Sequence, residues 1–279
     1  MNKKIIFLDV DGTLTYEEEK VSKRVVEAIQ QARKNGHYVF LCTGRNKIGT
    51  AFLNDIGFDG LVASAGSYIE VNGQMIDESY LTYEDVLEIQ QAMDECGVLY
   101  NMEATNCTFA DDEIIGLYIQ GFLKMDNMNS EMQRLIHEHK QQLHVKSLQD
   151  YANNPKPVHK ISFIAINRES LQQLENKLSS KYLFVIHDLY SLNTINGELI
   201  KYGVDKGKAV LKVVEHLGLT IEDTICFGDS RNDYEMLETC YHSVAMGNAV
   251  DELKKIATTV CETVQEDGVY HELKRLGII

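Results

Sequence analysis

The sequence predicts an α/β protein in which a doubly wound, Rossmann-like parallel sheet is interrupted by an inserted α+β domain. Three observations predict it. Short, continuously apolar runs such as Ile5-Ile6-Phe7-Leu8 stop abruptly at polar clusters, as strands buried on both faces do. Amphipathic helical stretches alternate with such runs at both ends of the chain. Between about 82 and 193 the pattern changes to alternating strands separated by helices, so a discontinuous core is expected from residues 1–81 and 194–279, with the insert over 82–193.

Along the chain, Ile5–Leu8 reads as the first buried strand. Ser22 then caps a helix carrying Val25, Val26, Ile29 and Ala32, and Gly36 falls where a left-handed helix end belongs. Tyr38–Cys42 is a second buried strand ending at Thr43-Gly44-Arg45, and this β-α-β order implies a right-handed crossover. A helix is expected over 47–56, followed by the apolar Leu61-Val62-Ala63. Asn72-Gly73, between 68–71 and 74–76, is the preferred pair for a tight hairpin turn. Thr82, three residues before Asp85, caps a helix through Met93. Within the insert, strands are expected over 160–166 and 183–187, and helices over 130–143 and 169–178. The doubly wound pattern is expected to resume near Asn196-Gly197, with a helix over 206–217, a strand over 224–227 and a helix over 233–238.

The 279 residues are 44% hydrophobic and 25% charged, enough to bury a substantial core, and the length favours two domains over one. The formal net charge of −15 sets the chain against phosphate backbones and anionic lipid, so neither nucleic acid nor a membrane is an expected partner. A small phosphate ester still fits, because a local cation can reverse the field at one site. The six cysteines are scattered without a C-x-x-C pair and read as reduced, mostly buried thiols. The apolar run after Met1 is too short for a signal peptide and no stretch reaches transmembrane length, so a cytoplasmic protein is expected. Oligomeric state is not legible.

Ligands of parallel α/β sheets bind beyond the carboxyl ends of the strands. Three inferred strands end there in polar clusters: Asp9-Val10-Asp11-Gly12-Thr13, Thr43-Gly44-Arg45, and Gly228-Asp229-Ser230-Arg231-Asn232-Asp233. Any one of these alone reads equally well as a turn. Together they place Asp9, Asp11 and Asp229 where three carboxylates repel unless a hard divalent cation sits among them, and an oxygen-only set beside phosphate favours Mg²⁺. Asp9, ionised at neutral pH, can attack phosphorus without a base. Asp11 then takes the acid/base role, giving a proton to the leaving oxygen and later taking one from water. Thr43 offers a hydroxyl and an amide to the phosphoryl oxygens, and Lys206, behind the potential cap Asp205, brings an ammonium.

Other signals read as structural. His137, His139 and His144 lack the spacing of a ligand pair, and Glu17-Glu18-Glu19-Lys20 reads as a solvated loop. Tyr100, Met102, Phe109 and Tyr118 suit a substrate pocket or the core of the insert, with packing favoured.

These motifs, in this order, with Lys206-Gly207 between the second and the third and Val244-Ala245-Met246-Gly247-Asn248-Ala249 after them, resemble the haloacid dehalogenase superfamily, and within it the Cof-type phosphatases with a type IIB cap. The resemblance implies Mg²⁺-dependent hydrolysis of a small phosphomonoester, a sugar phosphate or related metabolite, through an aspartyl-phosphate on Asp9 with Asp11 as acid/base. It implies phosphate contacts at Thr43, Gly44, Lys206 and Asn232, and a metal held by Asp9, the backbone carbonyl of Asp11, and Asp229, with Asp233 in support. The resemblance implies that the loop after the third strand faces the leaving group; relatives often carry Asn-Gly there, where this chain has Ser64-Ala65-Gly66-Ser67, so no particular relative's substrate is carried over. A sugar phosphomutase sharing the aspartyl-phosphate and a catalytically silent binding module are the alternative readings. All the recognisable catalytic residues lie outside 82–193, which leaves the insert to select the leaving group, with hinges near 80–82 and 193–197.

Overall fold

The computed structural model describes residues 3–16, 20–110, 144–189 and 195–279. The first stretch runs β1 (Ile5–Leu8), α1 (Lys23–Lys34), β2 (Tyr38–Cys42), a 3₁₀ segment (Ile48–Ile56), β3 (Gly60–Ala63), β4 (Tyr68–Val71) and β5 (Gln74–Glu78). Then follow α2 (Tyr83–Cys96), β6 (Val98–Ala104), β7 (Cys107–Ala110), β8 (Val145–Lys146), α3 (Leu148–Asn153), β9 (Val158–Ala165), α4 (Arg168–Leu178), β10 (Tyr182–Leu189) and β11 (Ile195–Lys201). The chain ends with α5 (Lys206–Leu217), β12 (Thr224–Gly228), α6 (Tyr234–Thr239), β13 (His242–Ala245), α7 (Asp251–Ile256), β14 (Thr259–Val260) and α8 (Gly268–Arg275).

Two compact units result. One comprises the described residues up to Glu78 together with Asp205–Ile279; the other comprises the described residues between Ser79 and Val204. In the first, an eight-stranded sheet has the order β14-β13-β12-β1-β2-β3-β4-β5. Its strands are parallel from β14 to β3, and β4 and β5 add an antiparallel edge. β1 is central, and Ile5, Ile6, Phe7 and Leu8 are all fully buried, as a strand covered on both faces requires. β1 lies in register with both β2 and β12, so Leu8 stands beside Leu41 and Phe227 and the three strands end side by side. The loops that follow them therefore converge.

The local signals behave as their chemistry dictates. The Ser22 hydroxyl accepts the Val25 amide at the start of α1, and Thr82 forms a reciprocal capping box with Asp85 at the start of α2. Asn72 and Gly73 both take positive φ, 50° and 77°, giving the mirror-image turn that suits a two-residue hairpin. Two expectations shift. The segment expected as a helix over 47–56 winds as 3₁₀ from Ile48: Gly49 and Thr50 are weak helix formers, and the Thr50 hydroxyl bonds back to the Lys47 carbonyl at 2.8 Å. The parallel pattern was expected from Asn196-Gly197, yet Ile195–Lys201 is a strand of the second sheet, paired antiparallel with β9 and β10; the α/β alternation resumes at Asp205. Its alternation of Ile195 and Leu199 inward explains the placement.

The second unit holds a six-stranded sheet, β10-β11-β9-β6-β7-β8, antiparallel except for β7 with β8. Tyr100, Met102 and Phe109 belong to its apolar cluster, as packing required. Tyr118, His137, His139, the helix expected over 130–143 and Glu17 to Glu19 lie outside the described residues. All six cysteines are free and buried. Among the described residues, no helix is long and apolar enough to cross a membrane.

Candidate active site

Because β1 and β12 end side by side, Asp9 and Asp229 meet just beyond them. The Asp9 amide continues the pairing, donating to the Phe227 carbonyl at 3.1 Å. Oxygens of Asp9, Asp229 and Asp233 lie within 4.8 Å of one another, and all three residues are buried. Asp233 arrives from the short 3₁₀ turn Arg231–Asp233, where its Oδ2 accepts the amides of Asp229 and Ser230 at 3.0 and 3.1 Å. That carboxylate fixes the loop carrying Asp229.

Lys206, at the first position of α5, enters the same cluster fully buried. Its Nζ donates to Asp9 Oδ1 at 2.8 Å, Asp233 Oδ1 at 2.6 Å and Asn232 Oδ1 at 3.2 Å, so all three ammonium protons are used. Gly207 follows it because a Cβ there would stand 2.4 Å from the Glu235 carbonyl; the helix could not otherwise bring Lys206 this close. Gly12 is required for two reasons: its φ is +84°, and a Cβ would sit 2.0 Å from Asp229 Oδ2. The turn it makes is tied down from elsewhere, since Asn248 Nδ2 donates to the Gly12 carbonyl at 2.8 Å.

Electrostatically the cluster is out of balance. Burial, and after it the neighbouring Asp233 carboxylate, pushes Asp9 well above the ordinary carboxylate range despite the pull of Lys206. Burial and then Asp9 and Asp233 push Asp229 up likewise. Burial works against the Lys206 ammonium, but Asp233 and Asp9 outweigh it and hold its proton more tightly than usual. The two partners pull in different senses: Lys206 stays charged while Asp9 tends to keep a proton. Three carboxylates against one ammonium explain this, and a divalent cation among the oxygens would displace the extra proton and leave Asp9 ionised. The residues therefore fit a hard divalent ion, with Asp9 and Asp229 as the better donors because Asp233 is already committed to Lys206 and to two amides.

The carboxylate of Asp11 is not in that group. Arg45 grips it with two bonds, Nε to Oδ2 at 2.8 Å and Nη2 to Oδ1 at 2.6 Å, while Nη1 donates to the Gly49 carbonyl at 3.1 Å and the guanidinium lies 5.1 Å over the Phe52 ring. Thr43 is buried at the end of β2; its amide donates to the Val62 carbonyl and its hydroxyl accepts the Arg45 amide at 3.1 Å. This loop is braced by the turn after β3, where Ser64 and Ala65 take left-handed φ of 49° and 55°. Their amides donate to the carbonyls of Arg45 and Thr43 at 2.7 and 3.0 Å. Two consecutive left-handed residues other than glycine are strained, and here the strain holds the Thr43-Gly44-Arg45 loop.

Thus Asp9, Asp229, Asp233, Asn232 and Lys206 gather as one site, while the carboxylate of Asp11 is turned to Arg45. Sequence reading gave no role to Arg45 or Asn248, and it expected the Ser64 turn to face the leaving group rather than to brace the Thr43-Gly44-Arg45 loop. Arg45 was legible only as the last letter of Thr43-Gly44-Arg45, and Asn248 only as part of the later Gly247-Asn248 segment.

The chain as a whole is similar to known proteins. The family described as haloacid dehalogenase-like hydrolase matches residues 6–273. The Bacillus subtilis (strain 168) protein YkrA is 26% identical over 283 residues, covering all of both chains. The 5-amino-6-(5-phospho-D-ribitylamino)uracil phosphatase YitU of the same organism is 27% identical over 277 residues, covering 97% of this chain and 96% of its own. Among solved structures, the sugar phosphatase BT4131 of HAD subclass IIB superposes with a TM-score of 0.75 at 25% identity, over 99% of this chain and 100% of that one. With the family matched across nearly its whole length, the chain belongs to the haloacid dehalogenase-like hydrolases, and its relatives include phosphatases of subclass IIB.

Proposed function

We propose that the protein hydrolyses a small phosphomonoester, a sugar phosphate or related metabolite, by Mg²⁺-dependent transfer of the phosphoryl group to Asp9. The observation that carries this reading is the meeting of Asp9, Asp229 and Asp233 around the buried Lys206 at the ends of β1 and β12. The names of YitU and BT4131 support the substrate class, since both describe phosphatases of phosphorylated polyols or sugars.

Asp9 would hold the metal through one oxygen and attack phosphorus with the other; Asp229 and the Asp11 carbonyl would complete the protein's share, with Asp233 in support. When bound, the ion supplies positive charge that offsets the ester's oxygens and the clustered carboxylates. Lys206 orients the Asp9 carboxylate through its 2.8 Å bond and brings its charge towards the transferring group, with Asn232 fixing the ammonium from the other side. Thr43 and Gly44 line the phosphoryl oxygens. Asp11 protonates the leaving oxygen and later accepts a proton from the water that cleaves the aspartyl-phosphate. Because Arg45 donates to both oxygens of the Asp11 carboxyl group, this grip must loosen before that group can give a proton to the leaving oxygen.

The insert, expected over 82–193, carries no residue of this chemistry and is left to select among esters. Replacing it by a short Gly/Ser linker should leave slow aryl phosphate hydrolysis and remove discrimination among natural esters. The primary test is phosphate release from an aryl phosphate. It should proceed with Mg²⁺ and stop after exhaustive chelation; equal rates in both conditions overturn the metal assignment.

A further inference from the structure

The loop after β1 meets two demands that conflict. Residue 12 has to be glycine, because its φ is +84° and a Cβ would stand 2.0 Å from Asp229 Oδ2. Glycine is also the residue whose backbone rotates most freely. Yet the proposed function needs this turn to present the Asp11 carbonyl in one direction. Bonds inside the loop fix part of it: the Gly12 amide donates to the Thr15 carbonyl at 2.8 Å, and the amides of Leu14 and Thr15 both donate to the Val10 carbonyl at 2.9 Å. The N–H and C=O of a trans peptide point opposite ways, so the first of these bonds turns the Asp11 carbonyl away from Thr15. The next peptide, Gly12 to Thr13, is held more loosely on its amide side, where Thr13 N lies 3.4 Å from the Val10 carbonyl. On its carbonyl side the hold comes from outside the loop, from Asn248 Nδ2 at 2.8 Å.

Asn248 stands in the turn after β13, and that turn reaches both loops of the carboxylate site. The amides of Met246 and Val250 donate to the carbonyls of Gly228 and Asp229, both at 3.0 Å, which ties the turn's main chain to the end of β12. The Asn248 side chain ties it to the end of β1. The carboxamide is itself oriented, because its Oδ1 accepts the Val264 amide at 3.0 Å and leaves Nδ2 for Gly12. Gly247 lets the turn lie close against the chain behind it: its amide donates to the Glu262 carbonyl at 3.1 Å, and a Cβ there would stand 2.8 Å from Thr263 N. The two main-chain links would be made by almost any residue. The third needs a short side chain carrying both a donor and an acceptor, which asparagine has and leucine, of similar size, lacks. Asn248 is also exposed, so Gly12 and Val264 would turn to water if the side chain were lost, and folding has little at stake in these bonds.

We propose that Asn248 is a positioning residue for the divalent ion: by holding the Gly12 carbonyl it restrains the glycine turn against Asp229 and keeps the Asp11 carbonyl in register with the Asp9 and Asp229 carboxylates. It acts through Gly12. The inference rests on the Mg²⁺-dependent reading given above and adds to it a residue from the far side of β12. A partner of this kind, one step removed from the ligands, is worth about 10- to 100-fold in metal affinity.

The experiment is calorimetric titration of the full chain with MgCl₂, alongside the Mg²⁺ dependence of aryl phosphate hydrolysis. Asn248→Leu should weaken Mg²⁺ binding by about tenfold or more. The rise in melting temperature produced by a fixed Mg²⁺ concentration should shrink with it. The metal-free variant should melt within about 4 °C of the unmodified protein. Excess Mg²⁺ should bring kcat back to within about threefold, so that the loss lies in the Mg²⁺ requirement. Val264→Pro is the control. It removes the amide that Asn248 accepts and keeps the donor to Gly12; Thr263, extended at φ −68° and ψ 165°, already has the conformation that a following proline demands. Its Mg²⁺ affinity should stay within about threefold of the unmodified protein. Unchanged affinity in Asn248→Leu overturns the inference. So does an equal loss in Val264→Pro, because support of the C-terminal turn and not the hold on Gly12 would then be responsible. A large fall in the metal-free melting temperature, or a loss of kcat that excess Mg²⁺ does not restore, overturns it as well. These results leave the Mg²⁺ reading standing, whereas an unmodified protein that binds no Mg²⁺ overturns both.

Discussion

Two buried groups of charge in this protein use the same residue types and differ in what they leave unbalanced. Around Lys206, at the ends of parallel strands, Asp9, Asp229 and Asp233 set three carboxylates against one ammonium. Around Lys160, in the middle of antiparallel strands, Glu103 and Glu198 set two against one. The first imbalance is large and concentrated on oxygens within reach of a single point, which calls for a divalent ion. The second is spread over three strands of one sheet face, with Glu103 beside Lys160 in register and Glu198 one strand further on.

The largest effect that would break the comparison lies in the first group. Asp9→Asn should lower turnover by about 10⁴-fold or more with the fold intact, because the amide is nearly isosteric and a poor nucleophile. Asp11→Asn should fall most with poor leaving groups, since activated aryl phosphates need less proton donation. Phosphate release across a leaving-group series, alongside circular dichroism, checks both. Near-normal rates in both folded variants would remove the distinction between the two carboxylates.

Next in size is loss of either lysine. Lys206→Met and Lys160→Met each leave buried carboxylates without their ammonium and should cost about 3–5 kcal/mol of stability. The contrast is in rescue. Mg²⁺ should restore much of the loss at Lys206, where its ligands converge, and none at Lys160, where Glu103 and Glu198 flank the lysine from different strands. Denaturant titrations with and without Mg²⁺ measure this, and equal rescue would show that the two groups are not different in kind.

The legibility of the two groups differs for the same reason. Asp9, Asp229 and Lys206 were readable because each directly follows a strand end or helix cap, where a polar residue interrupts an apolar run and the topology says where such points converge. Glu103, Lys160 and Glu198 interrupt nothing: they occupy every second position of strands whose other positions are apolar, the pattern of any half-exposed strand. Only burial shows that they are not solvated, and burial depends on packing that alternation does not encode. The boundary at Ile195–Lys201 was lost in the same way, since Asn196-Gly197 reads as a turn until its pairing with β9 and β10 is known. Arg45 needed the structure because a residue's partner 34 positions away has no local signature.

A smaller effect concerns pH. Asp9 and Asp229 are raised in the folded protein, so the fold holds protons that the unfolded chain gives up at ordinary carboxylate values. Their contribution is fully present below the unfolded value of about 4 and is lost as pH rises through the folded values. Lys206, also raised, gives the same sign at higher pH. Metal-free protein should therefore lose stability as pH rises above the ordinary carboxylate range of about 4. Saturating Mg²⁺ should flatten or reverse that slope by taking the protons' place. Melting temperatures across this range, with chelator or with Mg²⁺, give the two slopes, and identical slopes would mean that the carboxylates bind no ion.

The smallest expected change is the most discriminating for the second group. Breaking a buried ion pair by removing one partner is costly, but replacing all its members with apolar side chains of similar volume is often neutral or stabilising by about 1–4 kcal/mol, because the desolvation cost of every charge disappears together. Glu103→Leu, Lys160→Met and Glu198→Leu combined should therefore melt at or above the temperature of the unmodified protein, in contrast to Lys160→Met alone. Ser162 would lose its acceptor on Glu103, a loss of about 1 kcal/mol that the removed charges outweigh. If stability is retained, the charges on this face are not there to hold the sheet together. If the triple variant instead unfolds, the group is structural after all, and its likeness to the cluster around Lys206 ends with the residue types.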